Sequence, residues 1–185
     1  NPVAQGILAP STNDTYWSLC YAKIRKCNVV IEKGEEYTGT GSINASLAVA
    51  RFFRAYQYFW LLQRFGGVPV ITKGLTSTSE ELYAPRNSRY EVAKQIFDDL
   101  DYAIQYLPDE SAYDGKISKQ GAQAFKARTL LFEATWEKYV GTTTDGDGTI
   151  SGAGSDKPVG YPDIQSMLTE AASLADAVMS SGKYQ

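Results

Sequence analysis

The sequence contains no histidine in its 185 residues and only two cysteines. Without histidine, the chain lacks the usual general base near neutral pH and the commonest metal ligand. Any enzymatic interpretation must therefore rest on carboxylates, lysine, tyrosine or cysteine. Cys20 and Cys27 lie about 10 Å apart along a predicted helix, which is beyond the reach of a disulfide. We expect both to be small buried apolar side chains, with a reactive or metal-binding pair as the alternative.

The sequence also lacks a block of one charge and a long uncharged hydrophobic run. Its 18 basic and 21 acidic residues are well mixed and leave a net charge of −3, so we expect no nucleic-acid partner. Neither a signal peptide nor a transmembrane span can be read in these residues. The chain starts at Asn1-Pro2 and stops at Tyr184-Gln185, just after a helix exit. We therefore expect both ends to be cuts in a longer protein.

One distinctive segment is present, Arg51 to Ile71, which reads RFFRAYQYFWLLQRFGGVPVI. It is too apolar for a surface helix, and its arginines and glutamines are too polar for the core of a bilayer. We therefore expect a helix that is packed between other helices and ends at Gly66-Gly67. Its aromatic residues are expected in the core rather than in a binding box: Tyr56, Tyr58, Phe59 and Trp60. Its polar residues are expected to bond carboxylates or loop carbonyls between helices: Arg51, Arg54 and Gln57.

Helical spacing of apolar residues predicts five helices and no strand of useful length. The first two predicted helices run from about Thr15 to Lys33 and from about Ile43 to Phe65. The third begins at its cap Ser88 and is closed by Pro108, the fourth runs from Ser118 to about Tyr139, and the fifth runs from Asp163 to Ser181. The chain is therefore expected to be all-α, built from antiparallel helix pairs with long loops. Alanines where helices could approach closely suggest tetratricopeptide-like stacking of these pairs.

The predicted helix ends carry cap residues. Ser88 and Glu91 fit a capping box, in which each side chain bonds an amide that the first turn leaves unpaired. The first helix is entered through Asn13-Asp14-Thr15, and Ser42 is a plausible cap for the second. Gly34 is expected to end the first helix.

Four motifs in order carry a resemblance to a known family. The helix that leads to GGVP is preceded by YAKIRKCNVVIE (Tyr21 to Glu32) and followed by PRNSRYEVAKQIFDDLDYAIQYLP (Pro85 to Pro108) and GKISKQGAQAFKARTLLFEATWEKY (Gly115 to Tyr139). Their order and spacing resemble the SusD/RagB family of outer-membrane nutrient-binding lipoproteins. The resemblance covers nearly the whole chain. It implies a SusD-type α–α superhelix, with residues 1–185 forming a single helical-repeat domain of a longer protein.

The same resemblance implies a function. Family members lie on the outer surface of bacteria of the Bacteroidetes type, held by an N-terminal lipid anchor that is missing from this chain. They bind oligosaccharides or other nutrients, do no chemistry, and partner a SusC-like TonB-dependent transporter. We therefore expect a binding protein without a cofactor. The alternatives are a helical-repeat scaffold that binds only protein and, third, a carboxylate glycosidase of the all-α type.

The segment at the start of the first helix offers the mixture of side chains that a glycan site needs. Flat aromatic faces stack on sugar rings, while amides and carboxylates bond the sugar hydroxyls. The resemblance places this segment near the ligand, so the candidate ligand-binding residues are Asn13, Asp14, Tyr16 and Trp17. The alternative is a helix N-cap followed by a packing tryptophan, and we favour that interpretation for Trp17.

Two acidic groups are weaker candidates. Asp98, Asp99 and Asp101 could suggest a glycosidase pair, but helical carboxylates on adjacent turns are usually solvated surface. Asp145 and Asp147 fall at two ligand positions of the calcium-loop template. The first carboxylate and the bidentate glutamate of that template are absent from Thr143 to Gly154. We therefore expect no metal site, with weak calcium binding at Asp145 and Asp147 as the alternative.

Overall fold

The computed structural model describes residues 13–109, 115–141 and 154–183, and its regular structure in these ranges is helical. The helices are α1 (Thr15–Glu35), α2 (Asn44–Phe65), α3 (Arg89–Tyr106), α4 (Lys119–Val140) and α5 (Ile164–Ser180), with a short 3₁₀ helix at Glu80–Tyr83 between α2 and α3. Each α-helix packs mainly against the next one along the chain. The prediction of an all-α chain with five helices is confirmed. Among the described residues, no helix is both long and apolar enough to span a bilayer.

The helix ends follow the cap residues in most cases. The Asp14 carboxylate accepts a hydrogen bond from the Trp17 amide at 3.0 Å, and the reciprocal capping box of Ser88 and Glu91 is present. The prediction for Ser42 is wrong, because the cap of α2 is Ile43, which makes no side-chain cap bond.

The prediction that Gly34 ends α1 is also wrong, because the helix continues through Gly34 to Glu35. A Cβ atom on Gly34 would lie 2.3 Å from Leu47 Cδ2 of α2. This glycine therefore permits the close approach of the two helices instead of stopping the first one.

The core is centred on α2, which contacts both α1 and α3. Tyr58 and Phe59 are buried as predicted, but Tyr56 and Trp60 are 36% and 39% exposed, so their assignment to the core is wrong. These two residues share one side of α2 with Phe53, which is also exposed. Helices α4 and α1 cover this side only in part: the Phe125 ring of α4 lies 5.5 Å from that of Tyr56, and the Tyr16 ring of α1 lies 6.1 Å from that of Trp60. We call this side the outer face of α2 and define it as Val49, Phe53, Tyr56 and Trp60.

A buried ion pair joins α2 to α3. Arg54 donates to both oxygens of Asp99, at 2.7 and 2.6 Å, and Arg51 Nη1 lies 3.5 Å from the same carboxylate. The expectation that these arginines bond carboxylates between helices is confirmed. The expectation that Asp99 is solvated is wrong, because Asp99 is fully buried. Its neighbours Asp98 and Asp101 are 51% and 59% exposed, as predicted.

A second buried pair joins α3 to α4, where Arg89 donates to the Glu133 carboxylate at 2.8 and 2.6 Å. Burial raises the pKa of Glu133, and Arg89 opposes that shift. The two cysteines take part in neither pair and are both free thiols. Cys20 is buried as predicted, whereas Cys27 is only half-buried. Burial raises the pKa of each thiol, which keeps both in the unreactive protonated form.

Candidate functional site

A groove of about 650 Å³ lies between α1 and the segment that follows the double glycine. One wall is a single face of α1, because Trp17, Tyr21, Arg25 and Asn28 are spaced four, four and three residues apart. The opposite wall is the non-helical segment from Pro69 to Ser77 together with the 3₁₀ helix, and its lining residues include Pro69, Ile71, Lys73, Leu75, Glu81 and Leu82. We refer to this feature as the groove.

Two aromatic rings form one end of the groove. The Trp17 and Tyr21 rings lie 5.0 Å apart, and Phe65 meets Trp17 edge-on at 5.1 Å. The Tyr21 hydroxyl donates to the carbonyl of Pro69 at 2.6 Å, which ties the two walls together. Burial raises the pKa of Tyr21, so the phenol stays neutral at physiological pH. The two rings are therefore held by contacts behind them while they line the groove in front.

The opposite wall is positioned by side chains, although its backbone pairs with no strand in the described ranges. The Asn28 amide donates to the carbonyls of Ile71 and Lys73, at 2.9 and 3.0 Å. Arg54 donates to the Asn28 side-chain oxygen at 2.9 Å and to the Thr72 carbonyl at 3.3 Å. The Arg54–Asp99 pair thus supports the wall through Asn28 as well as directly.

Three further contacts complete this support. The Tyr58 hydroxyl donates to the Ile71 carbonyl at 2.9 Å and accepts from the Ile71 amide at 2.7 Å. The Gly74 amide donates to Glu32 at 2.9 Å, and a Cβ atom on Gly74 would come within 2.7 Å of that carboxylate. Because buried backbone groups must be paired, these side chains replace the strand partner that the segment lacks. The groove is consequently preorganised.

The four candidate ligand-binding residues predicted from the sequence do not lie together in the structure. Trp17 lines the groove. Tyr16 instead packs against α2, with its ring 6.1 Å from that of Trp60 and 5.0 Å from the guanidinium of Arg64. Asp14 is the helix cap and pairs with Arg64 at 3.0 Å. The bond from the Trp17 amide holds the pKa of Asp14 below its usual value. Asn13 is exposed at the entry to α1, and ligand binding by any of the four stays a prediction.

Sequence reasoning missed Tyr21, Arg25, Lys73 and Glu81. The first two could have been found from Trp17, because steps of four residues place them on the same face of a helix. Lys73 and Glu81 form an ion pair in the opposite wall, and no helical or strand period marks that wall. Asp145 and Asp147 lie outside the described residues. Within the described ranges, no three cysteine, aspartate or glutamate side chains are grouped as metal ligands.

Comparison with known proteins decides the family. The model of a SusD-like family, described as starch-binding and associating with the outer membrane, matches residues 5–131, which include both walls of the groove. This chain belongs to the SusD-like family. It is 32% identical over 124 residues to the SusD-like protein P2 of Formosa agariphila, covering 66% of this chain and 25% of that relative. The chain thus spans about a quarter of the length of the curated relatives it matches.

Solved SusD-like structures share its fold. A SusD superfamily protein from Parabacteroides distasonis is 26% identical, with a TM-score of 0.73 over 100% of this chain and 35% of the other. A laminarin-binding SusD-like protein is 27% identical, with a TM-score of 0.61 over 74% of this chain and 30% of the other. The prediction of tetratricopeptide-like helix pairs of the SusD type is therefore confirmed. A SusD-like carbohydrate-binding protein from Bacteroides fragilis is 29% identical, with a TM-score of 0.57 over 66% of this chain and 24% of the other.

Proposed function

We propose that this protein binds an oligosaccharide at the cell surface and delivers it to a SusC-like TonB-dependent transporter. The observation that carries the proposal is the groove, in which Trp17 and Tyr21 form an aromatic end beside polar groups on both walls. Its volume of about 650 Å³ lies in the range of small-molecule sites. The laminarin-binding relative supports a saccharide as the ligand.

Binding in the groove needs no bond to be made or broken. The rings of Trp17 and Tyr21 offer an apolar surface for a sugar ring, and Arg25, Lys73 and Glu81 offer donors and acceptors for its hydroxyls. Because the hydrogen bonds to Pro69–Gly74 already fix one wall, little conformational entropy is lost when the ligand enters. The protein therefore acts as a receptor without a cofactor.

The position of the protein in the cell forms part of the proposal. A lipid anchor attached N-terminal to these residues would hold the protein on the extracellular face of the outer membrane, beside the transporter. Residues 1–185 would form one helical-repeat domain of that lipoprotein. Family membership supports this arrangement, since the family description places its members at the outer membrane.

The test compares two tryptophans by calorimetric titration with a panel of oligosaccharides that includes laminari-oligosaccharides. Trp17→Ala should weaken binding at least about tenfold, because the aromatic surface in the groove is lost. Trp60→Ala removes an equally large and partly exposed side chain from the outer face of α2, and should leave the affinity unchanged. Thermal melting checks that both variants fold. Equal effects of the two substitutions, or no binding by the unaltered protein, would contradict the proposal.

The second candidate function is a scaffold that binds only protein, and the outer face of α2 favours it. Phe53, Tyr56 and Trp60 present an apolar surface whose only flanking charges on α2 are those of Arg51 and Arg64. Under this function, Trp60→Ala would weaken co-purification with the transporter, and no oligosaccharide would bind. Saccharide binding that depends on Trp17 would exclude this alternative.

A further inference from the structure

Positive charge is concentrated on α1 beside the groove. Lys23, Arg25 and Lys26 fall within four residues and are all exposed, although the chain as a whole carries a net charge of −3. None of the three forms an ion pair with a carboxylate in the described ranges, whereas Lys33, Lys73 and Lys94 do. Of the three, Arg25 lines the groove.

The carboxylates near the groove lie around Lys73. Glu81, the carboxylate of the groove lining, pairs with Lys73 of the same wall. Glu32 accepts the Gly74 amide at 2.9 Å. Glu32 and Glu80 also act on Lys73, raising its pKa less than Glu81 does. The Lys73 end of the groove therefore carries an excess of negative charge, whereas Arg25 is a lining cation that forms no ion pair with a carboxylate in the described ranges.

The position of Arg25 relative to the aromatic end suggests what this cation contacts. Arg25 follows Tyr21 by one helical turn and Trp17 by two, on the same face of α1. A sugar ring stacked on the two aromatic rings would place the substituent of its neighbouring residue within reach of the guanidinium. The planar guanidinium matches a carboxylate or sulfate group with two parallel hydrogen bonds.

We propose that the groove selects a saccharide carrying carboxylate or sulfate groups, with Arg25 as the contact for the anion. Lys23 and Lys26, on adjoining faces of α1, add positive potential within about 10 Å, the screening length at moderate salt. This inference rests on the proposed function, because it names the class of oligosaccharide that the groove takes. A flat cationic surface would suit a lipid headgroup, but the aromatic end and the two walls favour a saccharide chain.

The experiment measures dissociation constants for oligogalacturonates and sulfated carrageenan oligosaccharides against laminari-oligosaccharides of the same length. At low salt the acidic ligands should bind at least about tenfold tighter than the neutral ones, and added salt should reduce that difference. Arg25→Gln should abolish the preference, and Arg25→Lys should restore part of it, because a lysine keeps the charge but loses the two-pronged geometry. Lys138→Gln removes the same charge from the far end of α4 and should leave the preference intact.

Each other outcome is decisive. Neutral oligosaccharides that bind in a Trp17-dependent manner, with no gain for acidic ligands, would overturn this inference and leave the proposed function standing. The absence of binding to every oligosaccharide would overturn both. Arg25-dependent binding to phosphatidylcholine–phosphatidylglycerol vesicles, without binding to oligosaccharides, would overturn the inference in favour of a lipid headgroup.

Discussion

The groove and the outer face of α2 are both aromatic, yet they are built differently. In the groove, Trp17 and Tyr21 meet a second wall that carries polar side chains and is fixed by hydrogen bonds. On the outer face of α2, Phe53, Tyr56 and Trp60 lie side by side and stay partly exposed, although the rings of Phe125 and Tyr16 pack against two of them. Aromatic content alone therefore does not tell which of the two surfaces binds a ligand. A preorganised wall with hydrogen-bonding groups makes the groove the better site for a small polar ligand.

The largest expected effect comes from the buried side of α2. Arg54→Met should lower the free energy of unfolding by about 3–5 kcal/mol, because it leaves the buried Asp99 carboxylate with only its longer contact to Arg51. Phe53→Ala, at the adjacent position on the outer face, should cost less than about 1 kcal/mol. Urea denaturation measures both values.

A double variant tests the reason for that difference. Adding Asp99→Leu to Arg54→Met removes the buried charge that Arg51 alone cannot compensate, and should recover much of the lost stability. If the double variant is no more stable than Arg54→Met alone, the buried Asp99 charge is not the cause of the lost stability, and the contrast between the two sides of α2 has another origin.

The next effect is on the wall of the groove. Asn28→Ala should cost about 1–3 kcal/mol, since the Ile71 and Lys73 carbonyls lose their donor and Arg54 loses an acceptor. Hydrogen exchange at the Ile71 and Gly74 amides, which are hydrogen-bonded in the wall, should accelerate, while exchange at the amides in the middle of α4 should not change. Gln105→Ala on the exposed side of α3 is the matched control. Unchanged exchange at Ile71 and Gly74 would show that Asn28 does not position the wall.

The smallest expected effect concerns Asp14, the N-cap of α1, which pairs with Arg64. The pKa of Asp14 is lowered below 3.8 by the Trp17 amide, so its stabilising contribution is present above that value and is lost as pH falls through the folded-state pKa. Asp14→Asn should therefore reduce the loss of thermal stability below about pH 4. An identical pH profile for the unaltered protein and the variant would contradict this.

Sequence reasoning reached the features that depend on local contacts. The capping box of Ser88 and Glu91 and the five helices follow from periodicity and from residues a few positions apart. The exposure of Trp60 and the burial of Asp99 did not follow, because each depends on which neighbouring helix covers that side. The second wall of the groove escaped prediction for the same reason. Asn28 holds it at Ile71 and Lys73, which are 43 and 45 residues away in the chain.

The most direct test of the central claim follows the indole N–H signals of the protein while an oligosaccharide is added. The sequence has three tryptophans, Trp17, Trp60 and Trp136, so nuclear magnetic resonance can follow each signal once single Trp→Phe variants assign it. The claim that the groove binds the ligand predicts that the Trp17 signal shifts in proportion to saturation while the Trp60 and Trp136 signals stay in place. A shift of the Trp60 signal with an unmoved Trp17 signal would contradict the claim and assign binding to the outer face of α2.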